Sequence, residues 1–276
     1  MRAAALPTRL LALALLLAPA PALAEETALL PTPGAKLALD YEVYKGGFHL
    51  LDIGMDLNLG QPGRYEAGLD AVLVGAPALI FSYRLDMKIA GERQGGVFTP
   101  NLFRQDVDNG RKKKKEWMEL AFDARGVPQV TGDPLPAKED RPTVTSERRR
   151  GALDPLSGVL DVVGKIAAQG DCNVEASVFD GRRRFDVVSQ DAGMKTLPAS
   201  SINIYSGPAR LCELSVRPLA GYRFDGRDKK SLPRVIDVYM APPAPGLPEL
   251  PVRMVARSDW GAVLVHLVKV ADPAKS

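Results

Sequence analysis

The sequence predicts an all-β, mainly antiparallel fold, with about a dozen strands in a curled, half-barrel or spiral sheet packed around one α-helix. Three observations carry this prediction. Apolar and polar residues alternate with period two along most of the chain, short turns rich in Gly, Pro and Asn separate the runs, and one segment alone switches to helical spacing. A sheet of that many strands curls or closes rather than staying flat.

The first 24 residues stand apart from this pattern. "MRAAALPTRLLALALLLAPAPALA" places Arg2 and Arg9 before an apolar run and ends in Ala22-Leu23-Ala24, with Glu25 and Glu26 following. That is the layout of a secretory signal peptide cleaved after Ala24, and its apolar core is too short to anchor the chain. No cysteine follows it for lipid attachment, and no later stretch has the apolar length of a transmembrane helix. A periplasmic protein, residues 25–276 as one domain, is the expectation. The formal charge is +3 for the whole chain, and the leader holds two of the arginines. A near-neutral mature chain does not fit a dedicated nucleic-acid binder.

The elements then follow in order. Leu37, Leu39, Tyr41 and Val43 share one face of "LALDYEV", and Gly46-Gly47 turns the chain. Leu51, Ile53, Met55, Leu57 and Leu59 alternate with Asp52, Gly54, Asp56 and Asn58. Pro62-Gly63 turns it again, and "YEAGLDAVL" and "YRLDMKIA" repeat the alternation. Strands joined by such short turns form an antiparallel meander. Asn109-Gly110 marks a further hairpin. The polar, Pro-rich residues 128–150 read as a long loop. In "LDPLSGVLDVVGKIAAQG" the residues Leu156, Val159, Leu160, Val163 and Ile166 follow helical spacing. Asp154 suits the N-cap, Pro155 the first turn and Gly170 the stop, which predicts a helix near 155–168. Strands resume with "VEASVF", "RFDVV", "SINIYS", "ARLCELSV", "VIDVYMA", "LPVRMVARS" and "AVLVHLVKV".

Cys172 and Cys212 are the only cysteines. In an oxidising compartment an isolated pair with no C-x-x-C and no nearby histidine is most simply a disulfide. It would pin the helix exit to a strand and constrain the unfolded chain by roughly 4 kcal/mol.

Two basic clusters stand out as candidate sites. In "DGRRRFDVV", a two-residue Asp180-Gly181 turn would set Phe179 opposite Arg182 and Val178 opposite Arg183. Phe179, Glu175 and Asp186 then serve as local partners for Arg182 and Arg184, which favours a structural hairpin end over an anion site. The lysines Lys112, Lys113, Lys114 and Lys115 belong at a hairpin tip or edge. There they block strand-to-strand association or touch an anionic surface, and they are the better candidates for contact.

Catalysis has little support. His49 and His266 are the only histidines, and each reads as structural. There is no G-x-S-x-G, H-E-x-x-H, Walker or dinucleotide-binding motif, and nothing calls for a metal or cofactor. A hydrolase acting on an envelope polymer through paired carboxylates stays as the alternative, because carboxylate spacing is set in three dimensions.

"YEVYKGG" (41–47), "GALDPLSGVL" (151–160), "FDGRRRFDV" (179–187), "YSGPARLCEL" (205–214) and "PLAGY" (218–222) together give a resemblance. In this order they resemble the exported, mostly proteobacterial domain-of-unknown-function family 3108. The resemblance implies a periplasmic all-β protein and hands over no catalytic residues. A non-catalytic envelope-supporting protein that binds a partner protein, a glycan or a lipid-like amphiphile is therefore the expected function.

Overall fold

A computed structural model describes residues 36–59, 61–94, 96–111, 113–133, 140–230, 232, 235–258 and 261–271. The leader, the expected start at Glu25 and Lys112 lie outside the described residues. Seven strands come first: β1 (Lys36–Lys45), β2 (Phe48–Asn58), β3 (Arg64–Leu73), β4 (Tyr83–Gln94), β5 (Val97–Asn109), β6 (Lys114–Phe122) and β7 (Pro128–Asp133). A helical turn, α1 (Gly75–Ala78), lies between β3 and β4. The crossover carries α2 (Ser146–Arg149) and the long helix α3 (Pro155–Gln169). Six strands follow: β8 (Val174–Phe179), β9 (Arg184–Leu197), β10 (Gly207–Ala220), β11 (Val235–Ala241), β12 (Leu250–Ser258) and β13 (Gly261–Ala271), with α4 (Arg227–Lys230) before β11.

These strands form one 13-stranded sheet in the order β7-β6-β5-β4-β3-β2-β1-β13-β12-β11-β10-β9-β8. Every neighbouring pair is antiparallel, as the alternation predicts. The chain meanders outward from β1 to β7, restarts at β8 and returns until β13 pairs with β1. The two free edges, β7 and β8, are therefore consecutive in sequence, and the sheet stays open between them.

The crossover manages that seam. An open edge is a template for unwanted pairing. Here Leu153 N–H donates to Ser177 O and Phe179 N–H to Leu153 O, both at 2.8 Å, so an extended residue covers the edge of β8. Arg149 donates to the Pro128 carbonyl of β7 at 2.9 Å and stacks 5.8 Å over Phe179 of β8. One side chain thus spans both edges.

The helix forms where its signals place it. The Asp154 carboxylate accepts from the N–H groups of Leu156 (3.0 Å) and Ser157 (2.9 Å), and Gly170 ends the helix in the left-handed conformation at φ 69°. Leu156, Leu160, Val163 and Ile166 are buried as expected. Val159 is not: it is 47% exposed, while Val162 is buried. The reason is that α3 stands inside a curled sheet and is covered from several sides. A Cβ on Gly158 would lie 2.7 Å from Val178 Cγ2, so the helix presses its glycine face on β8 and leaves Val159 toward open space. Cys172 and Cys212, both fully buried, form the expected disulfide between the helix exit and β10.

Three local expectations are corrected. Residues 128–133 form β7 rather than loop, because Val130 completes the apolar row begun by Phe103 and Leu120. "SINIYS" is not a strand. Ser200 Oγ accepts from Ile202 and Asn203 N–H, and Asn203 Oδ1 accepts from Tyr205 N–H, holding the segment in turns. The β8–β9 hairpin has a four-residue loop, so Phe179 faces Arg184 and Val178 faces Phe185. Asp180 causes this: its carboxylate accepts from Arg182 and Arg183 N–H at 3.0 and 2.6 Å. That widens the turn by two residues and leaves side-chain parity intact.

Candidate functional site

The interior has two unequal halves. At one end α3 lies over Leu37, Leu39, Leu57, Ala67, Ile89, Phe103 and Leu120, all buried. Beneath the helix start, Ser157 Oγ donates to the Asp154 carboxylate at 2.5 Å and lies 3.0 Å from Tyr65 Oη. Burial raises the carboxyl of Asp154 above its ordinary range, against the pull of the Ser157 and Leu156 bonds. Burial likewise raises the Tyr65 phenol, and the Ser157 hydroxyl only partly offsets it.

At the other end the floor is laid but uncovered. Met55 pairs with Leu69, Leu69 with Met87, Met87 with Gln105, Gln105 with Met118, and Met118 with Gly132. This concave-face row crosses β2 to β7, and each member is only half-buried. At its seam end the β8–β9 loop closes over it. Gly181, at φ 86°, approaches so closely that a Cβ there would lie 2.0 Å from Met118 Sδ. A cavity of about 380 Å³ results, lined by Met87, Gln105, Met118, Phe185, Pro155 and the loop residues Asp180, Arg182 and Arg183, with Glu116 at its margin.

The three arginines of the loop have different duties. Arg184 donates to Asp186 at 2.8 Å and Arg217 to the same carboxylate at 2.7 Å. Burial works against charge on Asp186, but the bonds from Arg184, Arg217 and Ser177 together outweigh it and hold the carboxyl below its ordinary range. Arg183 pairs with Asp180 at 2.7 Å and lies 5.8 Å over the Tyr222 ring. Arg182 is exposed, lines the cavity and makes no side-chain ion pair among the described residues. The expected stacking of Arg182 on Phe179 is replaced by Arg149 on that ring.

The other expected residues fall elsewhere. Lys113, Lys114 and Lys115 sit at the β5–β6 turn, where Lys115 reaches Asp108 at 3.5 Å and Lys114 reaches Glu116 at 4.0 Å. Arg184 faces away from the cavity into its Asp186 network. His266 is buried on β13, and burial first, then Arg253, lowers its pKa. His49 pairs with Asp52 at 2.7 Å beside Glu42 on the outer face. The two cavity carboxylates, Asp180 and Glu116, are each paired with a cation. Sequence reasoning did not find Met87, Gln105 and Met118. Their alternation signals a strand face, but only register assembles them into one row.

An antiparallel sheet curled around a lumen helix, with its seam unclosed, defines a β-barrel-like protein. A crystal structure of a β-barrel-like protein of domain of unknown function DUF1849 from Brucella abortus is similar, with a TM-score of 0.52 and 11% identity over 88% of this chain and 99% of that one. A putative lipoprotein from Parabacteroides distasonis is more distant, at TM-score 0.31 and 10% identity over 88% of this chain and 98% of the other. No curated protein matches. The chain belongs to the family described as protein of unknown function (DUF3108), whose model matches residues 40–268. Among the described residues, no helix is long and apolar enough to cross a membrane.

Proposed function

We propose that this is a non-catalytic periplasmic protein of the cell envelope that holds an anionic amphiphile in the uncovered half of its lumen. The observation that carries the reading is the half-buried row from Met55 to Met118, continuous with a cavity lined by Arg182, a cation with no side-chain ion pair among the described residues. Five adjacent strands at about 4.8 Å spacing give a path of roughly 19 Å, the length of a long acyl chain. Methionine suits such a floor, because its flexible thioether adapts to chains of varied shape. Arg182 at the seam end supplies the partner for a carboxylate or phosphate head. The leader and the buried disulfide support export to an oxidising compartment.

The test is saturable binding of a fluorescent fatty acid, together with native mass spectrometry of protein purified from periplasm. One bound amphiphile per chain is expected. Arg182→Glu should weaken the fatty acid several-fold at low salt and less at high salt. A protein that carries no small molecule and binds no probe overturns the reading, as does binding that Met87→Asp leaves unchanged.

A further inference from the structure

Alternate turns of an up-and-down meander lie at one end of the sheet, so the β1–β2, β3–β4 and β5–β6 connections share an end. This is the end away from the helix-filled half, where the floor is uncovered. The three connections are joined into one arc. The β3–β4 segment is tied to β2 by Val74 N–H donating to Leu50 O at 2.9 Å. It is tied to the β5–β6 turn by Gly110 N–H donating to Ser82 O at 2.9 Å and by Arg111 lying 5.8 Å over Phe81.

Two chemistries meet along this arc. Leu79 and Ile80 are 89% and 84% exposed, and Phe48 at the β1–β2 turn is 68% exposed. Leu79 and Ile80 are held in that position: their N–H groups donate to Ala76 O (3.2 Å) and Pro77 O (3.0 Å), closing a helical turn that points them out of the protein. Adjacent large aliphatics fixed in water mark an interaction surface. Beside them stand Arg111 and the lysine tip. Lys113 occupies the left-handed region at φ 51°, a conformation that glycine or asparagine holds at less cost, so turn geometry does not account for a lysine there. Asp108 and Glu116 pair with Lys115 and Lys114, while Arg111 and Lys113 make no ion pair among the described residues.

We infer that this arc docks the open end of the barrel on an anionic lipid bilayer, with Leu79, Ile80 and Phe48 entering the headgroup layer and Arg111, Lys113, Lys114 and Lys115 facing the lipid phosphates. Apolar insertion and attraction to anionic headgroups reinforce each other in interfacial binding, and neither alone suffices. The inference goes beyond the cavity reading and stands without it, since docking uses only the rim.

The experiment is co-sedimentation of the exported chain with vesicles of phosphatidylglycerol and phosphatidylcholine, compared with phosphatidylcholine alone. Binding to the anionic vesicles that falls with salt is expected. Lys113→Ser/Lys114→Ser/Lys115→Ser and, separately, Leu79→Ser/Ile80→Ser should each lower that binding by at least about tenfold. All five side chains are exposed, and an unchanged urea midpoint verifies folding. Arg182→Glu and Met87→Asp should leave vesicle binding intact, which separates a failed cavity reading from a failed docking surface. Equal binding to neutral vesicles, no binding, or binding indifferent to both rim variants overturns the inference. So does a dimer that Leu79→Ser/Ile80→Ser dissolves, because a second copy would then be the occupant.

Discussion

The two ends of the lumen are built on the same strands and the same alternation, yet one is a core and the other a trough. At the helix end, Phe103 and Leu120 are fully buried. Two residues further along the same strands, Gln105 and Met118 are half-open to solvent. The sheet supplies equivalent concave positions at both ends, and the difference is α3, which is 15 residues long. At 1.5 Å per residue the helix covers only about 22 Å. Its first residue, Pro155, borders the trough beside Met87, Gln105 and Met118, and the helix leaves the rest of the floor to something else. Burial within a barrel is thus decided by what occupies the lumen, not by the strands alone.

The largest effect should come from the filled end. Phe103→Ala should cost about 3–5 kcal/mol in urea unfolding, while Met87→Ala on the adjacent strand of the trough should cost about 1 kcal/mol or less. Equal losses would mean that both ends are core and would break the comparison. Next comes the disulfide that anchors the helix exit. Cys172→Ala should destabilise by about 2–5 kcal/mol, visible as a lower thermal midpoint, and mass spectrometry after alkylation under denaturing, non-reducing conditions should find no free thiol in the parent chain. The smallest effect sharpens the contrast within one helix. Leu160→Ala should cost about 2–5 kcal/mol, whereas Val159→Ala, one residue away on the same helix, should cost about 0.5 kcal/mol or less. If Val159 costs as much as Leu160, the lumen beside the helix is closed.

Much of the molecule is legible in the chain because its signals are local. The alternation from Leu37 onward, the Asp154-Pro155 start, the Gly170 stop and the Cys172–Cys212 pair each depend on neighbours in sequence or on simple pairing logic. The failures are also physical. The β8–β9 loop is longer than its Asp-Gly suggests because the Asp180 carboxylate captures two backbone N–H groups, and a slip of two residues leaves the apolar alternation unchanged. "SINIYS" has β-branched and aromatic residues but contains Asn203 and follows Ser200, whose side chains outcompete strand pairing. The Met55–Met118 row is invisible in sequence because its members lie on five different strands.

The sequence by itself determined that the chain forms antiparallel strands with one wet and one apolar face, a single long capped helix and one disulfide. Each of these follows from spacing, which acts over a few residues. Tertiary structure alone decided that β13 closes on β1 while β7 and β8 stay apart, that α3 fills one half of the lumen, and that Leu79, Ile80 and the lysine tip share a rim. Those outcomes rest on contacts between residues tens to hundreds of positions apart, whose formation depends on sheet curvature and register rather than on any local preference.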